Sequence, residues 1–492
     1  MTDPSGQRRV VIVGGGFAGL FAVRALRRSA SVTLIDRAQH HVFQPLLYQC
    51  ATGIMSEGKI AAPLRDLLKK HKNVDCVMAE VCDFDVAGRR VTARRIGGEL
   101  IDFGYDDLIV AAGVRQSYFG HPEFARWAPG MKTISDALAI RRRVYGAFEM
   151  ADTATDPEER RTYLTFALVG AGPTGVELAG QIREVATKTL RAEFRNIEPE
   201  DARVLLFDGG SAPLASFGPK LSQKASDSLD ALGVEQHMGS IVTHVDQGWV
   251  LVRGHDGAET RYDAGTVLWT AGVEAPPIAE ALATATGAER DRAGRILVEK
   301  NLTIPGHPEI SVIGDMMSLD RLPGVAEVAM QSGLYAGHRI RHRVTGHVEE
   351  KPFRYHDLGS AAYISRGRAV VSAGPLQVGG FLGWWIWLFI HIAFLTGYRN
   401  RLGALLSWWL AFTRDVRRER TFTTQQIETL RDVYTLPPGP SPETGALAPA
   451  AERPAAAVPE KETGTTPAAP QPQANAPTDP VQAAGSHRKT AE

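Results

Sequence analysis

One pattern of apolar and polar positions occurs twice along the chain. Residues from Arg8 read "RRVVIVGGGFAGLFAVRAL", and residues from Thr165 read "TFALVGAGPTGVELAGQI". Each begins as a β-branched apolar run of strand length, meets a glycine cluster, and continues with apolar residues at helical spacing. Each half also closes on a matching strand, "LIVAAGV" around Gly113 and "VLWTAGV" around Gly272. The separations agree, with 99 positions from Gly14 to Gly113 and 102 from Gly170 to Gly272. A lone G-x-G-x-x-G is a weak signal. Two of them, each followed at the same distance by the same kind of strand, predict an α/β chain with two Rossmann-like dinucleotide-binding domains, a two-dinucleotide flavoprotein fold.

The glycines carry the chemistry. Gly14 permits the tight turn, Gly16 lets the backbone approach a pyrophosphate, and Gly19 lets helix and strand pack closely. The phosphates then sit at the helix N-terminus. The next strand, "SVTLID", ends in Asp36, 20 residues after Gly16, where a carboxylate accepts from ribose hydroxyls. Gly170, Gly172 and Gly175 occupy the same places in the second turn, and "RVLLFD" ends in Asp208. That spacing, 36 residues after Gly172, predicts an extended intervening helix. Asp208 would repel a 2′-phosphate and has no arginine beside it, so NADH is expected rather than NADPH. Two dinucleotides in one chain suggest a bound flavin and a nicotinamide. The late strand "ISVIGDMMS" supports this, placing Asp315 where it would meet the ribityl or phosphate part of FAD.

Composition narrows the field. The 492 residues carry 55 Lys+Arg and 55 Asp+Glu, so nothing favours nucleic acid. Cys50, Cys76 and Cys82 form no C-x-x-C pair, which removes most thiol chemistry; Cys50 reads as a small buried apolar residue. No histidine set has metal spacing, so no metal is expected. No secretory signal is apparent at the N-terminus, and the body is expected to fold in the cytoplasm. From about residue 436 the chain is rich in Pro and Ala and nearly free of large apolar residues, which predicts a disordered tail over 436–492.

The motifs "GGGFAGL", "FQPLLYQCATG", "AAGVRQSYFG", "PGMKTISDA", "GAGPTGVELAG", "FGPKLS", "TAGV", "GDMMS", "PGVAEVAMQSGLYAG" and "PFRYHDLGS" occur in order over roughly residues 8–430. Together they resemble the type II NADH:quinone oxidoreductases, especially the actinobacterial form. The resemblance implies a single-subunit enzyme that passes a hydride from NADH to bound FAD and two electrons to a membrane quinone, menaquinone or ubiquinone, without proton pumping. It implies FAD at the first turn and NADH at the second, with a homodimer as the assembly. Gln44, Tyr48 and Gln49 would wall the isoalloxazine. Glu177 would lie near nicotinamide and flavin; a first-turn glutamate favouring the helix dipole is the equal alternative. At the quinone end the family pattern Ala-Gln-x-Ala-x-Gln is "AEVAMQ" here, so Glu327 replaces the first glutamine while Gln331 keeps the second. Leu358 stands where several relatives carry lysine. The expected division is an FAD domain at 1–125 and 295–345, an NADH domain at 126–294, and a C-terminal membrane-associating region at 346–435. Another electron acceptor, or a redox-responsive binding role, is the competing reading.

A quinone acceptor dissolves in lipid, and residues 379–400, "GGFLGWWIWLFIHIAFLTGYRN", supply an apolar surface. The run Phe381–Thr396 is 16 residues, short for the roughly 20 a span needs. A second run, Leu402–Phe412, follows an arginine-bearing turn at Arg399–Arg401. Trp384, Trp385, Trp387, Trp408 and Trp409 suit an interface, and Arg414, Arg417, Arg418 and Arg420 suit anionic head groups. A monotopic anchor over 381–420 on the cytoplasmic face of the cell membrane is expected. A tilted span over 381–397, and a core or dimer-interface helix, are the alternatives.

Overall fold

The β-branched run Arg9–Val13 becomes an interior strand of a six-stranded sheet, with four of its five side chains buried. In this computed structural model, residues 7–346 and 351–434 are described, all within the unit Met1–Pro437. The tail expected over 436–492 lies outside the described residues. Across the first sheet the strands run Thr303–Ile304, His307–Val312, Asp107–Val110, Arg9–Val13, Ser31–Asp36 and Val74–Met78. All neighbours are parallel except the first pair. A parallel sheet is covered on both faces, which is why Asp107–Val110 and Thr165–Val169 are buried at every position.

The second sheet repeats this order with Val234–Met238, Arg203–Asp208, Thr165–Val169 and Thr266–Trp269, all parallel. Each sheet is also interrupted at the same place by a three-stranded antiparallel ribbon. These are Glu80–Asp85, Arg90–Arg94 and Leu100–Gly104 in the first, and Ile241–Asp246, Trp249–Arg253 and Glu259–Asp263 in the second. The duplicated pattern in the sequence is thus a duplicated topology. The two halves meet at a short antiparallel pair, Arg115–Gln116 with Val273–Glu274, held by Arg115 Nε donating to Glu274 at 2.8 Å. Helix Ala326–Val344 lies against helix Phe17–Leu26, and a methyl at Gly337 would stand 2.5 Å from Ala22 O.

The long spacing after the second turn has a different cause from the one expected. Helix Pro173–Glu184 is not simply extended. It opens into one π turn, Val185–Thr189, and the remaining residues to Arg203 are loop and a short 3-10 turn. Arg183 holds that loop by donating to Leu232 O at 2.8 Å and Glu200 O at 3.2 Å.

After a three-stranded sheet (Ser360–Ser365, Arg368–Ala373, Leu376–Gly380) come helices Phe381–Phe394 and Tyr398–Arg414. Among the described residues no helix is long and apolar enough to cross a membrane, so the span over 381–397 is set aside. The first of these helices ends at Phe394 after 14 residues, about 21 Å at 1.5 Å per residue. The arginines are not in the turn either. The turn is Leu395–Gly397, and Arg399 and Arg401 stand in the first helical turn beyond it. Arg401 reaches back to cap the preceding helix, donating to Leu395 O at 2.9 Å and Ala393 O at 2.8 Å.

Three of the five tryptophans are interior. Trp384, Trp387 and Trp408 are buried, because these helices pack one face on the body. Trp385 and Trp409 remain outside, with Phe381, Leu382, Phe389, Leu402, Leu405 and Leu406. Two arginines also leave the head-group set. Arg417 is 5% exposed and pairs with Glu184, while Arg420 forks onto Glu193 at 2.6 and 3.0 Å.

Candidate active site

Both glycine turns are built to one plan. Gly14 (φ +103°) donates to Ile35 O at 2.8 Å, and Gly170 (φ +107°) donates to Phe207 O at 2.8 Å. A side chain at Gly19 or Gly175 would strike the carbonyl oxygen of Gly14 or Gly170, whereas beside Gly16 and Gly172 there is open space. Each carboxylate clamps its own turn. Asp36 accepts from Gly15 N at 2.5 Å and Ala38 N at 2.6 Å, and Asp208 accepts from Ala171 N and Gly210 N, both at 2.6 Å. Carboxylate oxygens have further lone pairs, so Asp36 and Asp208 could still accept from a ribose while fixing the turn. Gly113 and Gly272 both adopt positive φ, +67° and +73°, at the ends of the strands flanking the turns.

The first site contains polar atoms without partners. Asp315 follows strand His307–Val312, and its Oδ1 is buried with no hydrogen bond among the described residues. Burial holds its carboxyl above the usual range, opposed by Lys132 and Arg295. Burial also lowers the Lys132 ammonium, which Asp315 opposes. Gln44 is exposed and donates to Lys132 O at 3.3 Å. His41 sits under the turn with Nδ1 3.2 Å from Gly15 O, its Nε2 has no partner among the described residues, and burial pushes it down to about 4. A buried acceptor, an open glycine cradle and a clamped ribose carboxylate fit FAD. Asp315 would receive ribityl hydroxyls, the Gly16 amides the pyrophosphate and Asp36 the adenosine ribose.

Glu177, Gln181 and Glu184 follow at spacings of 4 and 3 along helix Pro173–Glu184, and all three are buried. Glu177 lies past the first helical turn, so the helix-dipole explanation does not hold for it. Its Oε1 faces Tyr363 N at 3.5 Å, and burial raises its carboxyl well above the usual range. Burial likewise raises Tyr48 and Tyr363. Gln49 is wholly buried between Tyr48 Oη, to which it donates at 3.1 Å, and Trp408, whose indole donates to it at 2.7 Å. Glu184 accepts from Gln181 at 2.7 Å, Tyr363 Oη at 3.2 Å and Arg366 N at 2.7 Å. Arg417 Nη2 lies 3.4 Å from it, and Arg417 Nη1 donates to Thr52 O at 3.0 Å.

Gln331 and Glu327, on helix Ala326–Val344, hold the strap that follows. Gln331 donates to His356 O at 2.8 Å and accepts from His356 N at 2.9 Å. Glu327 accepts from Tyr355 Oη at 3.2 Å and Leu358 N at 3.3 Å, and burial raises its carboxyl. Leu358 itself is exposed.

Comparison with known proteins shows the family. Residues 8–333 match the pyridine nucleotide-disulphide oxidoreductase family. Two curated proteins of Mycobacterium tuberculosis, type II NADH:quinone oxidoreductases NdhA and Ndh, are each 46% identical over 427 residues. The match covers 86% of this chain and 91% and 92% of theirs. The chain belongs to the type II NADH:quinone oxidoreductases. Among solved structures, NDH2 from Plasmodium falciparum in complex with NADH aligns with a TM-score of 0.77 at 18% identity, covering 84% of this chain and 99% of that one. The sulfide:quinone oxidoreductase of Aquifex aeolicus aligns at 0.64 and 16%, covering 83% and 96%. These two share the fold. All three cysteines of this chain are free, and burial pushes Cys50 up to about 11, so this member of a family named for disulphide chemistry has no thiol pair.

Reading from sequence missed Lys132, His41, Gln181, Glu184 and Tyr363, and placed Arg417 with the head-group arginines. The polar stripe Glu177–Gln181–Glu184 was available as a signal, because its spacing puts three polar side chains on one face of the helix. Arg417 gave none, since its partner Glu184 lies 233 positions away.

Proposed function

We propose that this chain oxidises NADH and reduces a membrane quinone, menaquinone or ubiquinone, at the cytoplasmic face of the cell membrane and without pumping protons. The observation that carries this is the duplicated turn-and-carboxylate site in a chain 46% identical to two type II NADH:quinone oxidoreductases. The chemistry FAD supplies when bound is acceptance of hydride from NADH and delivery of two electrons to quinone. The protein's share is position and protons. Residues 1–125 with 295–345 hold FAD through Gly14, Gly16, Gly19, Asp36, Gly113 and Asp315. Residues 126–294 hold NADH through Gly170, Gly172, Gly175, Asp208 and Gly272. Gln44, Tyr48 and Gln49 wall the flavin site. Glu177, buried with its carboxyl raised well above the usual range, is the group placed to hold a proton beside Tyr363. Gln331 and Glu327 brace the strap 355–358 that borders the quinone side.

Residues 381–420 form a monotopic platform. Support comes from the exposed Phe381, Leu382, Trp385 and Phe389 on one helix and Leu402, Leu405, Leu406 and Trp409 on the next, with Arg399, Arg414 and Arg418 exposed near them. A homodimer is the proposed assembly. The decisive experiment is anaerobic addition of NADH to the FAD-loaded protein, followed by a soluble quinone. Bleaching and then recovery of flavin absorbance is expected. A flavin that stays oxidised with NADH would sink the reading, and bleaching without recovery would mean another acceptor.

A further inference from the structure

The two sites differ at one equivalent point. Gly113 and Gly272 end equivalent strands, since Ala111 N donates to Val13 O and Thr270 N to Val169 O, both at 2.7 Å. Beside Gly113 there is open space, but a Cβ built on Gly272 would stand 2.4 Å from Phe119 Cζ. Phe119 therefore lies over Gly272, and its ring would have to shift to admit a side chain there. Phe119 is 66% exposed and held at φ +50°, where non-glycine residues are uncommon. Its placement is not loose. Gln116 Nε2 donates to Ala271 O at 2.6 Å and Gly272 O at 2.7 Å, and Ser117 Oγ donates to Glu274 at 2.9 Å. The Phe119 amide in turn lies 3.3 Å from Ser117 Oγ, and its ring tilts beside buried Trp269 with centroids 6.4 Å apart.

Sheet order says which end of a dinucleotide passes this ring. Strand Thr165–Val169, which leads into the second turn, has Arg203–Asp208 on one side and Thr266–Trp269 on the other. A dinucleotide binds across the strand ends at such a switch point. With its adenosine ribose on Asp208, its other half runs over Gly272. Resting on the assignment of NADH to the second turn, we propose that Phe119 is a positioning residue whose open ring face packs on the nicotinamide-riboside half of NADH. The first site has no counterpart because its ligand stays bound, whereas NADH must enter and NAD must leave.

The test uses the FAD-loaded protein and anaerobic rapid mixing with NADH, following flavin bleaching, with ADP as a competing probe that lacks the nicotinamide half. Phe119→Ala should raise the half-saturating NADH concentration about three- to tenfold, the worth of one aromatic contact. ADP competition should stay within about twofold of the unsubstituted protein. Phe119→Trp should restore NADH binding, and Phe119→Leu should fall between. An unchanged NADH dependence in Phe119→Ala overturns the proposal. So does equal weakening of NADH and ADP, which would mean that the ring only props the loop. If NADH fails to bleach the unsubstituted flavin, the functional assignment itself has failed, an outcome separate from either of these.

Discussion

A single methyl group tests which turn holds which ligand. A Cβ built on Gly175 stands 1.8 Å from Gly170 O and 2.8 Å from Thr270 Oγ1, and real Cβ atoms stay beyond 3.0 Å. In Gly175→Ala the start of helix Pro173–Glu184 must therefore retreat by about 1.2 Å, the difference between 3.0 and 1.8 Å. The helix cannot shift freely, since a Cβ at Gly180 on the same helix would already clash with Ile364 O. The N-terminal amides proposed to meet the pyrophosphate move with it, and a misplacement of about 1 Å costs on the order of 100-fold. That is about 2.7 kcal/mol at 1.36 kcal/mol per tenfold. The clash at Gly19 is the same, 1.8 Å from Gly14 O. Gly175→Ala should keep its FAD, measured by absorbance of the purified protein, and need about 100-fold more NADH to bleach it. Gly19→Ala should emerge without FAD. The reverse pattern would exchange the two assignments. Normal binding in both variants would refute the reasoning from close approach altogether.

Three further outcomes follow from the same structure. Serines at Leu382, Trp385 and Phe389, each more than half exposed, should weaken vesicle binding at least tenfold, because about 1 kcal/mol of apolar burial is lost per residue. Turnover with a water-soluble quinone should persist, and undiminished flotation with vesicles would exclude this face as the membrane contact. Arg417→Met leaves Glu184 its contacts to Gln181, Tyr363 and Arg366 N and its ion pair with Lys188, so destabilisation should be about 3 kcal/mol, the low end for breaking a buried pair. Adding Glu184→Gln should recover much of it in denaturant titrations, and no recovery would show that the pair is not coupled. Burial pushes His391 down to about 4 from 6.5, so the folded state prefers it neutral. Its contribution is full above pH 6.5 and is lost as pH falls toward 4, roughly 3 kcal/mol in all. His391→Phe should flatten stability over that window, and an unchanged slope would rule His391 out as its source.

Much of the site was legible because its logic is local. A tight turn needs glycine at fixed offsets and a ribose needs a carboxylate at the next strand end, so Gly14, Gly16, Gly19, Asp36 and their second-half equivalents could be named from spacing alone. The C-terminal region was legible only in outline. Its apolar length argued against a span, and the helices are too short for one. Which tryptophans face outward could not be read, because every position in "FLGWWIWLFIHIAF" is apolar or histidine except Gly383, and a helix apolar all round has no marked inner face. The body decides it, through Gln49 accepting from Trp408 and Tyr363 packing 5.2 Å from Trp387.

By itself, then, the sequence determined the doubled α/β plan, the two glycine turns with their carboxylates, and the apolar surface near the C-terminus. These are properties of short segments, where chain geometry ties residue type to position. Only the tertiary structure decided that Glu177 is buried with its carboxyl raised, that Arg417 belongs to the interior, that Gln331 and Glu327 grip a strap, and that Phe119 lies over Gly272 while nothing among the described residues lies over Gly113. Each depends on partners from 25 to 233 positions apart. Burial and pairing at such separations follow from how elements pack, and no local pattern records them.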